Sequence, residues 1–368
     1  MTVSRLQPFG ETIFATMTAE AVKHGAINLG QGFPDSDGPA RMLEIAREEI
    51  ANGNNQYAPG MGVPELREAV ADARAVAVNN VLITVGATEA ITATVLGLVE
   101  PGKEVIVLEP YYDAYAAAIA LAGATRVAVP LAESGNTWMI DVAAVEAAIT
   151  DNTAMIIVNS PHNPTGAVLD MRQLTEVCVR HDLLVLSDEV YENLVFTGSQ
   201  HTRVAELPGM WERTITVSSA AKSFNCTGWK TGWAIAPEEL LDGVVKAKQF
   251  MSYVGATPFQ PAVAHALREE GEWVRGMVAD LERKRTLLAD GLSASGFRVY
   301  DTAGTYYVVA DVGCDGVEFC MNLPAKTGVA AIPLQVFTDH PEQWRTKVRF
   351  AFCKQDEVLE EAVRRLGG

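Results

Sequence analysis

Short runs of β-branched and aliphatic residues punctuate the middle of the chain, at residues 81–85, 104–108, 126–129, 154–158, 183–186 and 214–217. Segments of helical periodicity separate most of them, a pattern that predicts repeated strand–helix units and a mainly parallel sheet covered by helices. In one such helix Leu174, Val177, Cys178 and His181 fall at i, i+3, i+4 and i+7, with Asp170 as N-cap and Gln173 closing a capping box. The last third of the chain changes character. A long charged helical stretch over about 269–292 precedes strand patterns at 305–310 and 347–352, and the closing helix sets Leu359, Ala362, Val363 and Leu366 on one face with Gly367 as its stop. The pattern predicts an α/β fold with a large domain and a smaller α+β domain, divided between residues 255 and 275.

Composition narrows the function classes. Against 46 Asp and Glu stand 29 Lys and Arg, a formal charge of −17 over 368 residues, and no basic run breaks the excess. Such a surface repels phosphate backbones, so nucleic acid and anionic membranes are not expected partners. No stretch reaches the 18 or more apolar residues of a membrane span, and the opening MTVSRLQPFGETIF lacks a signal-peptide core. The five cysteines are odd in number, form no C-x-x-C pair and sit in apolar settings, as buried thiols of a reducing compartment do. A cytoplasmic protein without a metal is expected.

In parallel α/β sheets ligands bind beyond the carboxyl ends of the strands, so the residues that follow each strand are where chemistry is sought. Two apparent phosphate motifs fail. Gly30-Gln31-Gly32 continues into Phe33-Pro34-Asp35, where a dinucleotide fingerprint needs a third glycine and a helix start. Residues 97–103 have the spacing of a phosphate loop, but Glu104 replaces the Ser/Thr and a strand follows instead of preceding. After the run at 154–158 comes Asn159-Ser160-Pro161-His162-Asn163-Pro164-Thr165-Gly166, a rigid polar turn; taken alone, Asn163 there could simply bond its own backbone. After 183–186 come Asp188 and Tyr191, of which Asp188 alone could be a helix N-cap. After 214–217 comes Ser218-Ser219-Ala220-Ala221-Lys222, with Lys230 eight positions later. Small and aromatic flanks suit a lysine held against a ligand, where a lowered pKa lets an amine form Schiff bases.

Asn163, Asp188, Tyr191, Lys222 and Lys230 thus fall in order at the ends of strands of one inferred sheet. Their joint pattern resembles the class I/II aminotransferases of the fold-type-I pyridoxal-phosphate enzymes, from 28–35 (NLGQGFPD) to 349–352 (RFAF). The resemblance implies pyridoxal 5'-phosphate as cofactor, amino acids and 2-oxo acids as substrates, and an N-terminal arm (1–38), a large cofactor domain (39–265) and a small domain (266–368). It also implies roles. Lys222 would be the Schiff-base lysine and proton shuttle, Asp188 the partner of the pyridine nitrogen, and Asn163 and Tyr191 the groups that hydrogen-bond the ring hydroxyl. The phosphate would lie at Gly86-Ala87-Thr88 on a helix N-terminus, with Ser219 and Lys230 as side-chain ligands and Tyr112, or Tyr111, stacked on the ring. Arg349 would hold the substrate α-carboxylate, assisted by the backbone of Gly32, with Asn163 also among the substrate-binding residues. Tyr57 would reach the phosphate of a neighbouring subunit, which implies a homodimer with shared active sites.

Within the family, residues 28–35, 218–233 and 252–264 most resemble bacterial N-succinyldiaminopimelate aminotransferases, whose glutamate-dependent reaction serves lysine and diaminopimelate biosynthesis. They also resemble their kynurenine/glutamine-type relatives. The connection at 72–81 is shorter than those relatives carry. Two alternatives stand beside this reading. One keeps the cofactor but makes the protein a kynurenine/glutamine-type or aromatic aminotransferase, or a cysteine-conjugate β-lyase; the other is a non-enzymatic cofactor-binding regulator, which the absence of a basic helix-turn-helix before residue 26 disfavours. Loops at 9–17, 304–307 and 331–337 are expected to set side-chain specificity.

Overall fold

The computed structural model describes residues 2–368. Seven strands form the central sheet: β1 (Val81–Val85), β2 (Glu104–Glu109), β3 (Thr125–Pro130), β4 (Thr153–Asn159), β5 (Leu184–Asp188), β6 (Thr214–Ser219) and β7 (Thr231–Ile235), in the order β1-β7-β6-β5-β4-β2-β3. All neighbouring pairs are parallel except those of β7, which runs antiparallel between β1 and β6. The six predicted runs therefore become six strands, each within one or two residues. β7 was not anticipated, because Thr231-Gly232-Trp233-Ala234-Ile235 carries a glycine mid-strand.

Strands buried on both faces read as continuous apolar runs. In β2, β4 and β6 the side chains are almost all buried, and helices Gly86–Leu98, Asp113–Leu121 and Glu238–Lys248 pack their alanine and leucine faces on the sheet. The second sheet is small and antiparallel: Arg298–Val299, Tyr307–Asp311, Lys347–Ala351 and Ile332–Pro333. It shares a core with helix Ile13–His24, the 24-residue helix Gly271–Ala294 and helix Asp356–Leu366. Ile27–Asn28 pairs in parallel with Val329–Ala330, which ties the N-terminal segment to this part of the molecule.

Four local expectations change. The helix at 172–180 begins one residue later than its cap pattern suggests. Met171 is the N-cap, Asp170 Oδ1 accepts from the Arg172 amide at 3.0 Å instead, and no side chain caps the helix end. His181 lies beyond the apolar stripe, at the C-cap, exposed and 3.2 Å from Glu146. Of the five cysteines only four are buried; Cys314 is exposed. Segment 9–17 is not a loop throughout, since Ile13–Met17 open a helix capped by the Thr12 side chain on the Ala15 amide.

Candidate active site

The carboxyl ends of β4, β5 and β6 open on a cavity of about 260 Å³, lined from the central sheet by Asn159, Asn163, Asp188, Tyr191, Ser219, Lys222 and Lys230 and from the small sheet by Tyr307 and Arg349. Gly32, Ala87, Thr88 and Tyr112 complete it, so every predicted site residue except Tyr57 converges on one space. Tyr57 stands apart: it is 82% exposed, with its ring edge-on to Tyr253 at 5.7 Å. A larger cavity of about 590 Å³, lined by Arg74, Asn193, Ser223 and Trp233 among others, contains none of the predicted residues.

One end of the cavity is an anion cradle. β1 ends at Val85, and the chain turns directly into helix Gly86–Leu98, whose first amides have no carbonyl a turn behind them to bond. Gly86 sits at φ +73°, and a side chain there would press on Lys230 Nζ. Gly232 is needed for a different reason: a Cβ would come within 2.7–2.8 Å of the Gly86 carbonyl carbon and the Ala87 nitrogen. Ser219, at the end of β6, and Lys230, just before β7, face the same region because their strands are neighbours in the sheet, with Gly232 opposite Ser219 and Thr231 opposite Val85. Amides, a hydroxyl and an ammonium thus meet where the dipole of helix Gly86–Leu98 favours negative charge.

Two consecutive acids at the end of β5, of which Asp188 lines the cavity, are buried alike and titrate in opposite directions. Glu189 is buried, but hydrogen bonds and charges from His201 and Arg74, at 3.2 and 3.0 Å, overcome that burial and hold its carboxyl at about 2. Asp188, 4% exposed, accepts from the Tyr115 hydroxyl at 2.6 Å and from the Val190 amide at 3.2 Å. Burial dominates there, and the carboxyl is pushed up to about 6. Asp188 is a buried carboxylate that a cation would complete. Asp188 is also no helix cap, since a turn and not a helix follows it.

Lys222 lies in the single helical turn Ala220–Ser223 after β6, half-buried, its Nζ 5.7 Å from the Tyr191 ring centre and 5.5 Å from that of Tyr306. Burial, aided by the charges of Arg349 and Lys230, lowers this amine to about 8. Tyr191, fully buried, donates to the Tyr307 hydroxyl at 3.3 Å.

The opposite wall is built around Arg349, 1% exposed on strand Lys347–Ala351. Its Nη1 donates to Asn163 Oδ1 at 2.9 Å and its Nη2 to the Gly30 carbonyl at 2.8 Å, while its buried Nε has no partner. The guanidinium lies 4.0 Å over the Tyr307 ring, 5.4 Å from Phe14 and 6.0 Å from Phe337. Gly32 is held by the Tyr306 hydroxyl, which donates to its carbonyl at 2.6 Å, and a side chain at position 32 would overlap Tyr307. Of the two tyrosines left open by the sequence, Tyr112 reaches the cavity; Tyr111 is buried with its hydroxyl on Asp339 at 2.8 Å.

Sequence reasoning missed Tyr115 and Asn159 and reached Phe14, Tyr307 and Phe337 only as parts of segments. Asn159 bridges two strand ends, accepting from the Asn163 amide and donating to the Asp188 carbonyl, both at 2.8 Å. Its place, first in the turn that carries Asn163, was visible. Tyr115 carried a fainter signal: in Tyr111-Tyr112-Asp113-Ala114-Tyr115 it lies one helical turn beyond Tyr112.

Known proteins share this architecture. The family described as aminotransferase class I and II matches residues 24–366. The chain is 52% identical, over its full length and 98% of the relative's, to a probable N-succinyldiaminopimelate aminotransferase of Mycobacterium tuberculosis. The solved structure of N-succinyldiaminopimelate aminotransferase from that organism superposes with a TM-score of 0.98 at 52% identity, covering 100% of this chain and 99% of that one. A methionine aminotransferase of Escherichia coli is 38% identical over 99% of this chain and 97% of its own. An aspartate aminotransferase variant of Thermus thermophilus superposes at 0.91 with 32% identity, covering 100% and 99% of the two chains. On this evidence the chain belongs to the class I and II aminotransferases and is an enzyme of that kind.

Proposed function

We propose that the cavity holds pyridoxal 5'-phosphate and that the protein transfers amino groups between glutamate and N-succinyl-2-amino-6-oxopimelate, as an N-succinyldiaminopimelate aminotransferase of lysine and diaminopimelate biosynthesis. The observation that carries the reading is the convergence of Lys222, Asp188, Asn163, Tyr191 and Arg349 on one cavity. Two features of this chain fit the cofactor: the cradle at Gly86–Thr88 with Ser219 and Lys230, which suits a phosphate, and the cation-deficient Asp188, which suits a protonated ring nitrogen. When bound, the cofactor supplies a carbonyl that condenses with amines and a ring that withdraws electrons from the substrate Cα.

The chain's own residues do the rest. Lys222 Nζ, nucleophilic because its pKa is lowered, would hold the cofactor between turnovers and carry the proton to and from the substrate Cα. Asp188 would offer a negative charge to the ring nitrogen, and the amide of Asn163 and the hydroxyl of Tyr191 would bond the ring oxygen. Arg349 presents the fork that suits an α-carboxylate, and its attachment to Asn163 links substrate position to cofactor position. Tyr112, at the cavity wall, would cover the ring. Tyr57, outside its own chain's cavity, is assigned to the phosphate of a second copy in a homodimer. A cytoplasmic setting follows from this metabolic role; among the described residues no helix is long and apolar enough to cross a membrane.

A second reading concerns the acceptor. Phe14, Tyr307 and Phe337 surround the guanidinium of Arg349 with aromatic rings. That wall favours an aromatic or thioether side chain, as in kynurenine/glutamine-type aminotransferases or a cysteine-conjugate β-lyase, and the similarity to a methionine aminotransferase points the same way.

An absorption spectrum of the purified protein, with added pyridoxal phosphate and then glutamate, tests the assignment beside Lys222→Ala. A visible band that glutamate shifts to shorter wavelength, absent in the variant, supports it. No band in the wild-type protein would end it. A comparison of succinylated and aromatic acceptors then separates the two substrate readings, and pyruvate with ammonia from a cysteine conjugate would mark the lyase.

A further inference from the structure

We infer that Tyr115 is a positioning residue for the cofactor: its phenol holds one oxygen of Asp188 and keeps that carboxylate ionised, so that Asp188 can bind a cationic ring. The inference rests on the cofactor reading above. Its basis is geometric. Tyr115, 3% exposed on helix Asp113–Leu121, donates to Asp188 Oδ2 at 2.6 Å, while the other oxygen accepts from the Val190 amide. Both side chains line the cavity, and the Tyr115 ring meets Tyr112 edge-on at 5.7 Å.

The donor matters because of what else faces Asp188. Lys222, from the turn after β6, is the cation whose charge lowers it, and the adjacent Glu189 raises it. Glu189 is itself already bound by Arg74 and His201. On β4, Asn159 offers only a neutral amide, and to the Asp188 backbone. Tyr115 is thus the side chain that hydrogen-bonds the carboxylate. Hydrogen bonds to a charged group favour the charged form, and burial disfavours it. Removing the phenol leaves burial unopposed at that oxygen and raises the pH at which Asp188 takes up a proton. A carboxyl that carries a proton no longer offers a negative charge to the ring.

The test titrates the cofactor-free apoprotein with pyridoxal phosphate between about pH 5 and 9 and reads affinity from the visible band, in wild type, Tyr115→Phe and Tyr115→His. For the wild type, affinity falls as pH drops through the Asp188 pKa. In Tyr115→Phe the midpoint of that fall moves upward by about one pH unit, the scale of one hydrogen bond to a charged group, so affinity drops about tenfold at about pH 5 and only about twofold at about pH 7. Tyr115→His, which restores a donor, recovers most of the shift. An infrared difference spectrum of the apoprotein follows the Asp188 carboxyl directly and shows the same displacement. If Tyr115→Phe weakens binding by the same factor at every pH, with the carboxyl unmoved, the phenol only fills space and the inference is overturned. Should Tyr115→Phe not fold, as circular dichroism would show, Tyr115→His carries the test: a midpoint within about 0.3 of wild type supports the inference, and an upward displacement as large as that of a full loss overturns it. Failure of the wild-type protein to bind pyridoxal phosphate would instead refute the underlying reading.

Discussion

Arg349 and Asn163, 186 positions apart in the chain, are joined by a 2.9 Å hydrogen bond from Nη1 to Oδ1. The bond fastens the small sheet to the turn after β4, so one contact fixes the direction of the guanidinium and of the Asn163 amide together. The unpartnered Nε beside it marks a fork with capacity to spare.

Arg349→Lys is therefore expected to raise KM for amino-acid substrates at least about tenfold, because an ammonium keeps the charge but gives up the planar fork and the bond to Asn163. The absorption of bound cofactor should shift as well, because Asn163 loses the bond that fixes its amide. Steady-state kinetics beside the spectrum checks this; an unchanged KM would remove Arg349 from substrate binding.

Lys222→Ala should lower turnover by about two to four orders of magnitude, the range of a lost proton-transfer group, with loss of the covalent hold added. In the wild-type apoprotein the amine is lowered to about 8, so the rate of cofactor capture should climb as pH rises through that value and level off above it. Stopped-flow absorbance follows this directly, and a flat profile would contradict it.

Asp188→Asn should separate stability from function. The folded carboxyl is raised to about 6, above its unfolded value, so its contribution is most favourable at low pH and is lost as pH rises through 6. Above that the apoprotein carries a penalty on the order of 2–3 kcal/mol, which the neutral amide relieves. Chemical denaturation at pH 8 should find the apo variant at least as stable as wild type, although its activity falls by about two orders of magnitude or more.

Gly232→Ala should damage the cradle from behind. The added methyl meets the backbone of Gly86 and Ala87, which cannot step aside without moving the start of helix Gly86–Leu98. A stability loss of about 1–3 kcal/mol is expected, with weaker cofactor retention on gel filtration. A variant that keeps the cofactor as wild type does would show that the cradle is not where the phosphate binds.

Phe14→Ala discriminates the substrate readings. If aromatic side chains pack on the wall formed with Tyr307 and Phe337, the ratio kcat/KM for an aromatic or thioether substrate should drop about tenfold or more, while glutamate changes much less. Equal losses for both would assign Phe14 to holding Arg349 alone.

Much of the site was legible because its residues announce themselves at strand ends. Asp188 and Lys222 each follow a buried aliphatic run, and the turn carrying Asn163 is dense in Pro and Gly. The sheet was legible for the same reason, as parallel strands buried on both faces leave continuous apolar runs. What the sequence hid is whatever depends on a long-range neighbour. Tyr115 looks like any half-turn of an amphipathic helix until Asp188, 73 positions later, lies 2.6 Å away. Strand β7, with glycine at its second position, shows its purpose only once Gly232 meets the start of a helix 146 positions earlier. The cap at Asp170 failed for a local reason: the side chain chose the Arg172 amide and guanidinium, both at 3.0 Å, over a box with Gln173.

The antiparallel course of β7 decides how little the anion cradle tolerates. Gly232 stands opposite Ser219 and Thr231 opposite Val85, and the ten residues between Ser219 and Lys230 are pinned in their own right: they carry Lys222, bury Phe224 and Cys226, and stack the Trp229 ring on Phe259 at 4.7 Å. That hairpin behaves as a rope nailed along its length, and a single-residue slip of β7 would turn every side chain of the strand to the opposite face of the sheet. Gly228, where no atom stands within 4 Å of an added Cβ, is the point of the span at which a side chain could be built out without unseating the cradle.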